Sequence, residues 1–195
     1  MRRTRNVAQD AAELPSRLKK TIALVGMMGA GKTAIGTALA RRLDVPFLDS
    51  DVEIERAANQ SIAEIFARDG EPFFRERETQ VIGRLLEGPP SVLSTGGGAF
   101  LRAQNREMIS TRGISVWLRA ELDLLWQRVK HKSTRPLLRT PDPKATLAAI
   151  QAERDPVYAM ADVVVDANAS YTIEDMTERV LAALKARPDV LEPLS

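Results

Sequence analysis

Residues 26–33 constrain the fold more than any other segment of the chain. They read Gly-Met-Met-Gly-Ala-Gly-Lys-Thr and fit the pattern G-x-x-x-x-G-K-[ST]. A short apolar run, Thr21–Val25, precedes them, and Lys32–Leu43 follows with apolar residues at helical spacing. Glycines between a strand and a helix allow successive backbone N–H groups to point inward around an anion. This context predicts a phosphate-binding loop rather than a turn that merely joins two elements.

The rest of the apolar pattern places this loop in an α/β fold. Four further short apolar runs are predicted to be strands, at residues 46–48, 91–94, 114–118 and 163–165. Longer amphipathic segments alternate with them, and one of these begins at Ser61 with a capping box to Glu64. Short continuous apolar strands are typical of a parallel sheet covered on both faces. A single three-layer α/β/α domain is therefore expected over residues 21–187.

The charge is unevenly distributed along the chain. Residues 1–20 contain six basic and two acidic side chains, whereas the whole chain contains 28 basic and 26 acidic ones, so the body is slightly acidic. The first 20 residues lack a hydrophobic period and are predicted to be a disordered basic extension, with residues 188–195 as a C-terminal tail. This distribution does not favour a nucleic-acid partner.

The amino-acid composition excludes several classes of protein and of metal or catalytic site. The chain has no cysteine, which excludes disulfide scaffolds and thiolate metal sites. Its single histidine, His131, argues against a histidine metal site or a His-based triad. No apolar run approaches the roughly 18 residues of a membrane span, so a cytoplasmic protein without a membrane partner is expected.

Within the loop, two side chains indicate the chemistry. Lys32 is expected to reach the β- and γ-phosphates of a nucleotide, and the Thr33 hydroxyl is expected to be a ligand of Mg²⁺. The chain lacks the Asn-Lys-x-Asp sequence, which argues against a guanine-specific GTPase. Phosphoryl transfer to a small molecule is the class of reaction that remains.

Two acids follow the second predicted strand. If the extended backbone continues, Asp49 and Asp51 point to the same side of the sheet. One carboxylate can then hold Mg²⁺ through water while the other accepts a proton from an attacking hydroxyl. The alternative is that an acid caps a following helix, which would explain one of them but not both.

Other candidate residues lie further along the chain. Arg75 has Glu78 one helical turn later, where the carboxylate can hold the guanidinium, although a solvated charged face is the alternative. Residues 96–98 are three glycines after a strand, a pattern that favours close approach of the backbone to a ligand. The Pro- and Arg-rich segment 131–143, which contains Arg135, is interpreted as a lid over the phosphate site. Arg154 can be either a ligand-binding group or an ion-paired helix end.

Taken in order, these motifs resemble those of the shikimate kinase family. The resemblance rests on residues 26–33, 48–51, 70–78, 95–98, 135–138 and 153–158, and it covers about residues 21–186. It implies a P-loop kinase fold with a lid loop and a five-stranded parallel sheet of order 2-3-1-4-5. It also implies a monomer that phosphorylates the 3-hydroxyl of shikimate with ATP and Mg²⁺, giving shikimate 3-phosphate and ADP on the route through chorismate to aromatic amino acids.

The resemblance further implies a role for each candidate residue. The catalytic residues are Lys32, Asp51 and Arg135. The ATP-binding residues are Gly29, Ala30, Gly31, Lys32, Thr33, Ala34, Arg128, which stacks on adenine, and Arg135. The shikimate-binding residues are Asp51, Phe74, Arg75, Glu78, Gly97 and Arg154. Thr33 and, through water, Asp49 hold the metal. For Phe74, core packing is the alternative to a place in the substrate wall.

Two other functions remain open at this point. The first is phosphorylation of another small molecule, as in gluconate kinase, which shares the phosphate loop but not the other motifs. The second is a regulator that binds ATP without catalysis, against which the full set of candidate residues argues. Segment 166–170 carries no arginine, so no side-chain contact to adenine is expected from it.

Overall fold

The computed structural model describes residues 16–131 and 136–193, which form an α/β/α sandwich. Its strands are β1 Ser16–Leu18, β2 Thr21–Val25, β3 Phe47–Asp49, β4 Val92–Ser94, β5 Gly113–Arg119, β6 Val163–Asp166 and β7 Leu191–Pro193. Its helices are α1 Lys32–Leu43, α2 Ser50–Ala58, α3 Ile62–Glu87, α4 Ala103–Arg112, α5 Leu122–Val129, α6 Pro143–Tyr158 and α7 Ile173–Lys185. Short 3₁₀ turns lie at Ala99–Leu101 and Pro136–Leu138.

Within the described residues, the central sheet has five parallel strands in the order β3-β4-β2-β5-β6. Counting these five strands alone along the chain gives the order 2-3-1-4-5, so the predicted fold is confirmed. The middle strand, β2, is buried at every position, and its Ile22 lies opposite Val92 on one side and Ile114 on the other. Because all five strands run the same way, their carboxyl ends meet at one edge of the sheet.

Helix α3 bends near its first third. Gly70 has a φ of 81°, outside the helical region, and Pro72 follows it. The segment before the bend begins with the predicted capping box, in which Ser61 and Glu64 satisfy each other's backbone N–H groups. The part after Gly70 carries Phe74, Arg75 and Glu78, so the bend determines the direction in which these side chains leave the helix.

Two apolar clusters support the structure. The larger one surrounds the sheet and joins it to the helices on both faces. The smaller one lies between α2 and α3 and consists of Ile54, Ile65, Phe74 and Val81. It therefore supports the two helices that carry Asp51 and Arg75.

The ends of the described chain pair with each other, which the sequence did not lead us to expect. Strand β1 runs antiparallel to β7, with Leu18 opposite Leu191, and both leucines are buried in the larger cluster. The stretches 16–20 and 188–193, predicted to belong to an extension and a tail, are therefore folded at these strands. The pairing was missed because each strand has only three residues and gains its partner about 170 positions away. Residues 1–15 lie outside the described part of the chain.

Among the described residues, no helix combines the length and the apolar character that crossing a membrane would require.

Candidate active site

A cavity of about 560 Å³ opens at the carboxyl ends of β2, β3 and β4. Its walls come from the phosphate loop (residues 26–33), from Asp49 and Asp51, from a glycine turn (residues 96–98) and from the start of α7. These elements are distant in sequence and are brought together because parallel strands deliver their following loops to one edge.

The phosphate loop has the backbone shape of an anion site. Gly29 and Gly31 have φ values of 83° and 97°, a conformation that side chains rarely allow. Gly31 precedes the first residue of α1, and no side chain caps the N–H groups of that helix. These N–H groups and the helix dipole favour a negatively charged ligand at this point.

Two cations border the phosphate loop. The Lys32 amino group donates hydrogen bonds to the carbonyl oxygens of Gly26 (2.7 Å) and Met27 (3.0 Å). The Arg128 guanidinium, which reaches over from α5, donates to the carbonyl oxygens of Gly29 and Ala30. Burial lowers the pKa of Arg128, yet the side chain keeps its charge at neutral pH because its ordinary pKa is so high. Both side chains line the cavity, as do Thr33 and Ala34.

The two acids differ in local structure, contrary to the expectation of a continued strand. Helix α2 begins at Ser50, so Asp49 is its N-cap and Asp51 lies in its first turn. The Asp49 carboxylate accepts hydrogen bonds from the backbone N–H groups of Asp51 (3.0 Å) and Val52. The extended geometry therefore stops at Asp49, because its cap and the following residues favour a helix. Both acids nevertheless line the same cavity.

The surroundings of Asp51 change its pKa. Burial raises its pKa, the Asp49 carboxylate raises it further, and the positive charge of Lys32 opposes both effects. A carboxylate with a raised pKa is a better proton acceptor than an ordinary aspartate. Asp51 thus combines a place in the cavity wall with a raised pKa.

The glycine turn is surrounded by charged side chains. A Cβ atom on Gly96 would lie 2.8 Å from Asp51 Oδ1, and one on Gly98 would lie 2.6 Å from Arg75 Nη1. A Cβ atom on Gly97 would lie 3.5 Å from Arg154 Nη1. At these glycines the backbone lies close to charged side chains of the protein itself, while the predicted approach to a ligand stays a prediction. The turn brings Asp51, Arg75 and Arg154 together from α2, α3 and α6.

Arg75 and Glu78 form a largely buried ion pair at this turn. Arg75 Nη1 donates to Glu78 Oε2 at 2.8 Å, and Glu71 contacts the guanidinium at 3.3 Å. The Glu78 side chain is only 1% exposed, and burial raises its pKa against the opposing charge of Arg75. Among the described residues, its other oxygen, Oε1, finds no hydrogen-bond partner, although a Cβ atom on Gly96 would lie 3.2 Å from it.

Comparison with known proteins identifies the family of this site. The family model described as "Shikimate kinase" matches residues 28–185. A shikimate kinase of Cereibacter sphaeroides is 64% identical over 190 residues, which are 97% of this chain and 95% of the relative. The chain belongs to the shikimate kinase family.

Solved structures agree with this assignment. A shikimate kinase from Acinetobacter baumannii in complex with shikimate superposes with a TM-score of 0.80 at 40% identity, covering 86% of this chain and 93% of that one. A gluconokinase from Sinorhizobium meliloti reaches a TM-score of 0.58 at 21% identity, over 87% of this chain and 94% of that one. The second likeness concerns the fold alone.

Not every residue predicted from the family resemblance lines the cavity. Arg75, Glu78 and Arg154 lie around the glycine turn but are not among the cavity-lining residues. Arg135 lies outside the described residues. Phe74 is 4% exposed and belongs to the small apolar cluster, with its ring centroid 4.7 Å from that of Phe66, so the structure gives it a packing role. Ala30 is a buried residue of the phosphate loop, and its carbonyl oxygen accepts a hydrogen bond from Arg128.

Sequence reasoning missed several residues of the site. The buried Ser50 accepts a hydrogen bond from the Gly96 N–H at 3.1 Å and so joins α2 to the glycine turn. The Tyr158 hydroxyl donates to the Gly97 carbonyl oxygen. The start of α7, with Tyr171 and Ile173, lines the cavity beside the phosphate loop. Ser50 and Tyr158 had a signal in the sequence, since each belongs to a motif shared with the family.

Proposed function

We propose that this chain transfers the γ-phosphoryl group of ATP to the 3-hydroxyl of shikimate, giving shikimate 3-phosphate and ADP. One observation carries the proposal: a backbone anion site and the glycine turn line one cavity, and arginines and carboxylates surround that turn. The first suits a polyphosphate, and the second suits a small carboxylic acid that carries hydroxyl groups. The complex of the Acinetobacter baumannii relative supports shikimate as the acceptor.

The phosphate loop binds the nucleotide in this proposal. The N–H groups of residues 29–34 surround the β-phosphate, and Lys32 turns from the loop carbonyls toward the β- and γ-phosphates. Arg128 covers the loop on the side of α5, where its guanidinium can stack on the adenine ring. Such fixed cations compensate charge as it moves to the β-phosphate during transfer.

The glycine turn and its charged neighbours bind the acceptor. Arg75 and Arg154 flank the turn and hold the shikimate carboxylate, for which a planar guanidinium is well suited. Gly97 contributes its backbone. Glu78 orients Arg75, and its Oε1 atom, which has no partner among the described residues, accepts a hydrogen bond from a substrate hydroxyl.

Asp51 completes the transfer. Its carboxylate accepts the proton of the 3-hydroxyl as that oxygen forms a bond to the γ-phosphorus. The bond between this phosphorus and the β,γ-bridging oxygen breaks, and ADP leaves with the electron pair. The raised pKa of Asp51 helps it to take the proton, and most of the rate enhancement comes from positioning and electrostatics.

The residues present fit a nucleotide-bound Mg²⁺ ion. No group of three or more metal-ligating side chains occurs in residues 16–131 or 136–193, and Mg²⁺ in kinases needs only one or two protein oxygens besides the phosphates. Thr33 and, through water, Asp49 would hold it, since both line the cavity. When bound, the ion neutralises charge on the β- and γ-phosphate oxygens.

Arg135 belongs to the proposal through the sequence alone. The segment 131–143 acts as a lid that brings Arg135 to the phosphates and excludes water, so that shikimate rather than water is phosphorylated. The enzyme is proposed to act as a monomer in the cytoplasm, with ATP and shikimate as partners and neither nucleic acid nor membrane. A solution mass near 21.5 kDa by light scattering would agree with the monomer.

The test is a panel of acceptors. ADP release is measured with Mg²⁺ and ATP in the presence of shikimate, quinate, gluconate or a nucleoside monophosphate. Shikimate is expected to give the highest kcat/KM by a wide margin. A preference for gluconate would assign the chain to the rival kinase reaction, and ATP binding without acceptor-dependent ADP release would favour the non-catalytic regulator.

A further inference from the structure

Tyr158 is a buried polar side chain that the proposed chemistry does not use. It is the last residue of α6, and none of its surface is exposed. Its hydroxyl donates a hydrogen bond of 2.5 Å to the carbonyl oxygen of Gly97, a residue 61 positions earlier in the chain. Tyr158 is not among the residues that line the cavity, and its hydroxyl already donates to the Gly97 carbonyl oxygen.

The same hydroxyl lies beside a second group of the site. A Cβ atom on Gly97 would lie 3.5 Å from Arg154 Nη1 and 4.0 Å from the Tyr158 oxygen, so all three groups meet at one point. Burial raises the pKa of Tyr158, whereas the charge of Arg154 and its hydrogen bond to the hydroxyl oppose the rise. The hydroxyl therefore contacts both the glycine turn and Arg154 of α6.

The ring of Tyr158 packs against two other aromatic rings. Its centroid lies 6.0 Å from the Trp117 ring of β5 and 6.5 Å from the Phe100 ring. Trp117 also reaches the phosphate loop, since a Cβ atom on Gly26 would lie 3.2 Å from Trp117 Cδ1. The tyrosine thus connects the glycine turn to the strand beside the phosphate loop.

We propose that Tyr158 is a positioning residue for the acceptor. Its hydroxyl holds Gly97 and Arg154 at a fixed distance from each other, so that both meet the bound acid together. Without the hydroxyl, the partly buried Gly97 carbonyl loses this partner, and the turn gains freedom to move. This inference rests on the proposed function, because it takes the acceptor to be held by Gly97 and Arg154.

The experiment compares Tyr158→Phe, which removes only the hydroxyl, with Ser115→Ala. Ser115 is also fully buried, and its hydroxyl donates to Asp162 at 2.7 Å, outside the cavity lining. For Tyr158→Phe we expect the KM for shikimate to rise about five- to tenfold, as the loss of one buried hydrogen bond implies, with the KM for ATP unchanged. Ser115→Ala is expected to lower Tm but to leave both KM values unchanged.

Hydrogen exchange of residues 94–101 provides a second readout that needs no substrate. We expect faster exchange there in Tyr158→Phe and unchanged exchange in Ser115→Ala. An unchanged KM for shikimate in Tyr158→Phe would overturn the inference, and so would equal rises in both KM values accompanied by a lower Tm. A wild-type chain without shikimate-dependent ADP release would instead refute the proposed function, while the exchange measurement would still report whether Tyr158 holds the turn.

Discussion

At one end of the cavity lie eight consecutive residues, the phosphate loop, in which backbone N–H groups are the proposed binding groups. At the other end the glycine turn lines the cavity, and side chains from three helices surround this turn: Asp51, Arg75, Glu78 and Arg154. The phosphate loop is a local structure that a single sequence motif encodes. The cluster around the glycine turn depends on the order of strands and on the bend of α3 at Gly70, so it forms only when the whole sheet is in place.

This difference explains how the two ends should respond to substitution. A backbone anion site tolerates side-chain changes except at the residue that adds charge, whereas a side-chain cluster loses function with any of its members. Among the side chains of the phosphate loop itself, Lys32 should therefore matter most, whereas the acceptor end should depend on several side chains. Each prediction below tests one part of this contrast.

The largest effect is expected from Lys32→Ala. Removing the cation at the phosphates should lower kcat about a hundred- to a thousandfold, because charge that moves to the β-phosphate is no longer compensated. The measurement is shikimate-dependent ADP release, with Tm as the control for folding. Near wild-type turnover would show that the loop amides suffice without the lysine.

Asp51→Asn is expected to lower kcat about a hundredfold, because the amide cannot accept the proton. In the wild type, kcat should fall as the pH drops through the pKa of Asp51, and the raised pKa moves this fall above the ordinary range of an aspartate. In Asp51→Asn the remaining kcat should no longer fall over this pH range. A variant that keeps the wild-type profile would mean that another group takes the proton.

Arg75→Ala should raise the KM for shikimate about 10- to 100-fold and leave the KM for ATP unchanged, because a charged hydrogen bond to the carboxylate is lost. Arg75→Lys is the matched control: it keeps the charge but not the planar fork, and its effect should fall between wild type and alanine. If the ATP KM rose as much as the shikimate KM, the arginine would not belong to the acceptor end alone.

Gly98→Ala should have a smaller effect of the same kind. Its φ of −91° suits alanine, but the new Cβ would lie 2.6 Å from Arg75 Nη1 and would displace the guanidinium. We expect the shikimate KM to rise about three- to tenfold, on the scale of one weakened hydrogen bond. Gly88→Ala, at an exposed helix end, is the control and should change neither KM. Equal KM values for the two variants would contradict the close packing at Gly98.

The smallest effect concerns stability. Burial raises the folded-state pKa of Glu78, so the folded chain binds this proton more tightly than the unfolded chain. Stability from Glu78 is therefore present at low pH and is lost as the pH rises from the ordinary value toward the folded-state pKa. Relative to Glu78→Gln, the wild type should lose about 2–4 °C of Tm across this window. A relative gain would show that Arg75 lowers the pKa instead.

The contrast also explains what the sequence could predict. The strand before residues 26–31, the helix after them, and the capping box at Ser61 follow from neighbouring residues, and the structure confirms them. The layer architecture followed from the alternation of apolar runs. These features depend on contacts within a few residues, which a pattern records directly.

The features that escaped prediction depend on distant contacts. The start of α2 at Ser50 is stabilised by a cap from Asp49 and a hydrogen bond to Gly96, and the second of these is invisible in a local pattern. The pairing of β1 with β7 and the bond from Tyr158 to Gly97 are of the same kind. The triple glycine was predicted to approach a ligand, but its charged protein neighbours come from helices that only the fold brings together.

A crossed binding experiment tests the central claim, that each end of the cavity binds its own ligand. Calorimetric titration of MgADP and of shikimate is performed on Lys32→Ala and on Arg75→Ala, both confirmed to be folded by Tm. The account predicts that Lys32→Ala loses MgADP affinity and keeps shikimate affinity, and that Arg75→Ala does the reverse. Equal loss of both ligands in both folded variants would contradict it.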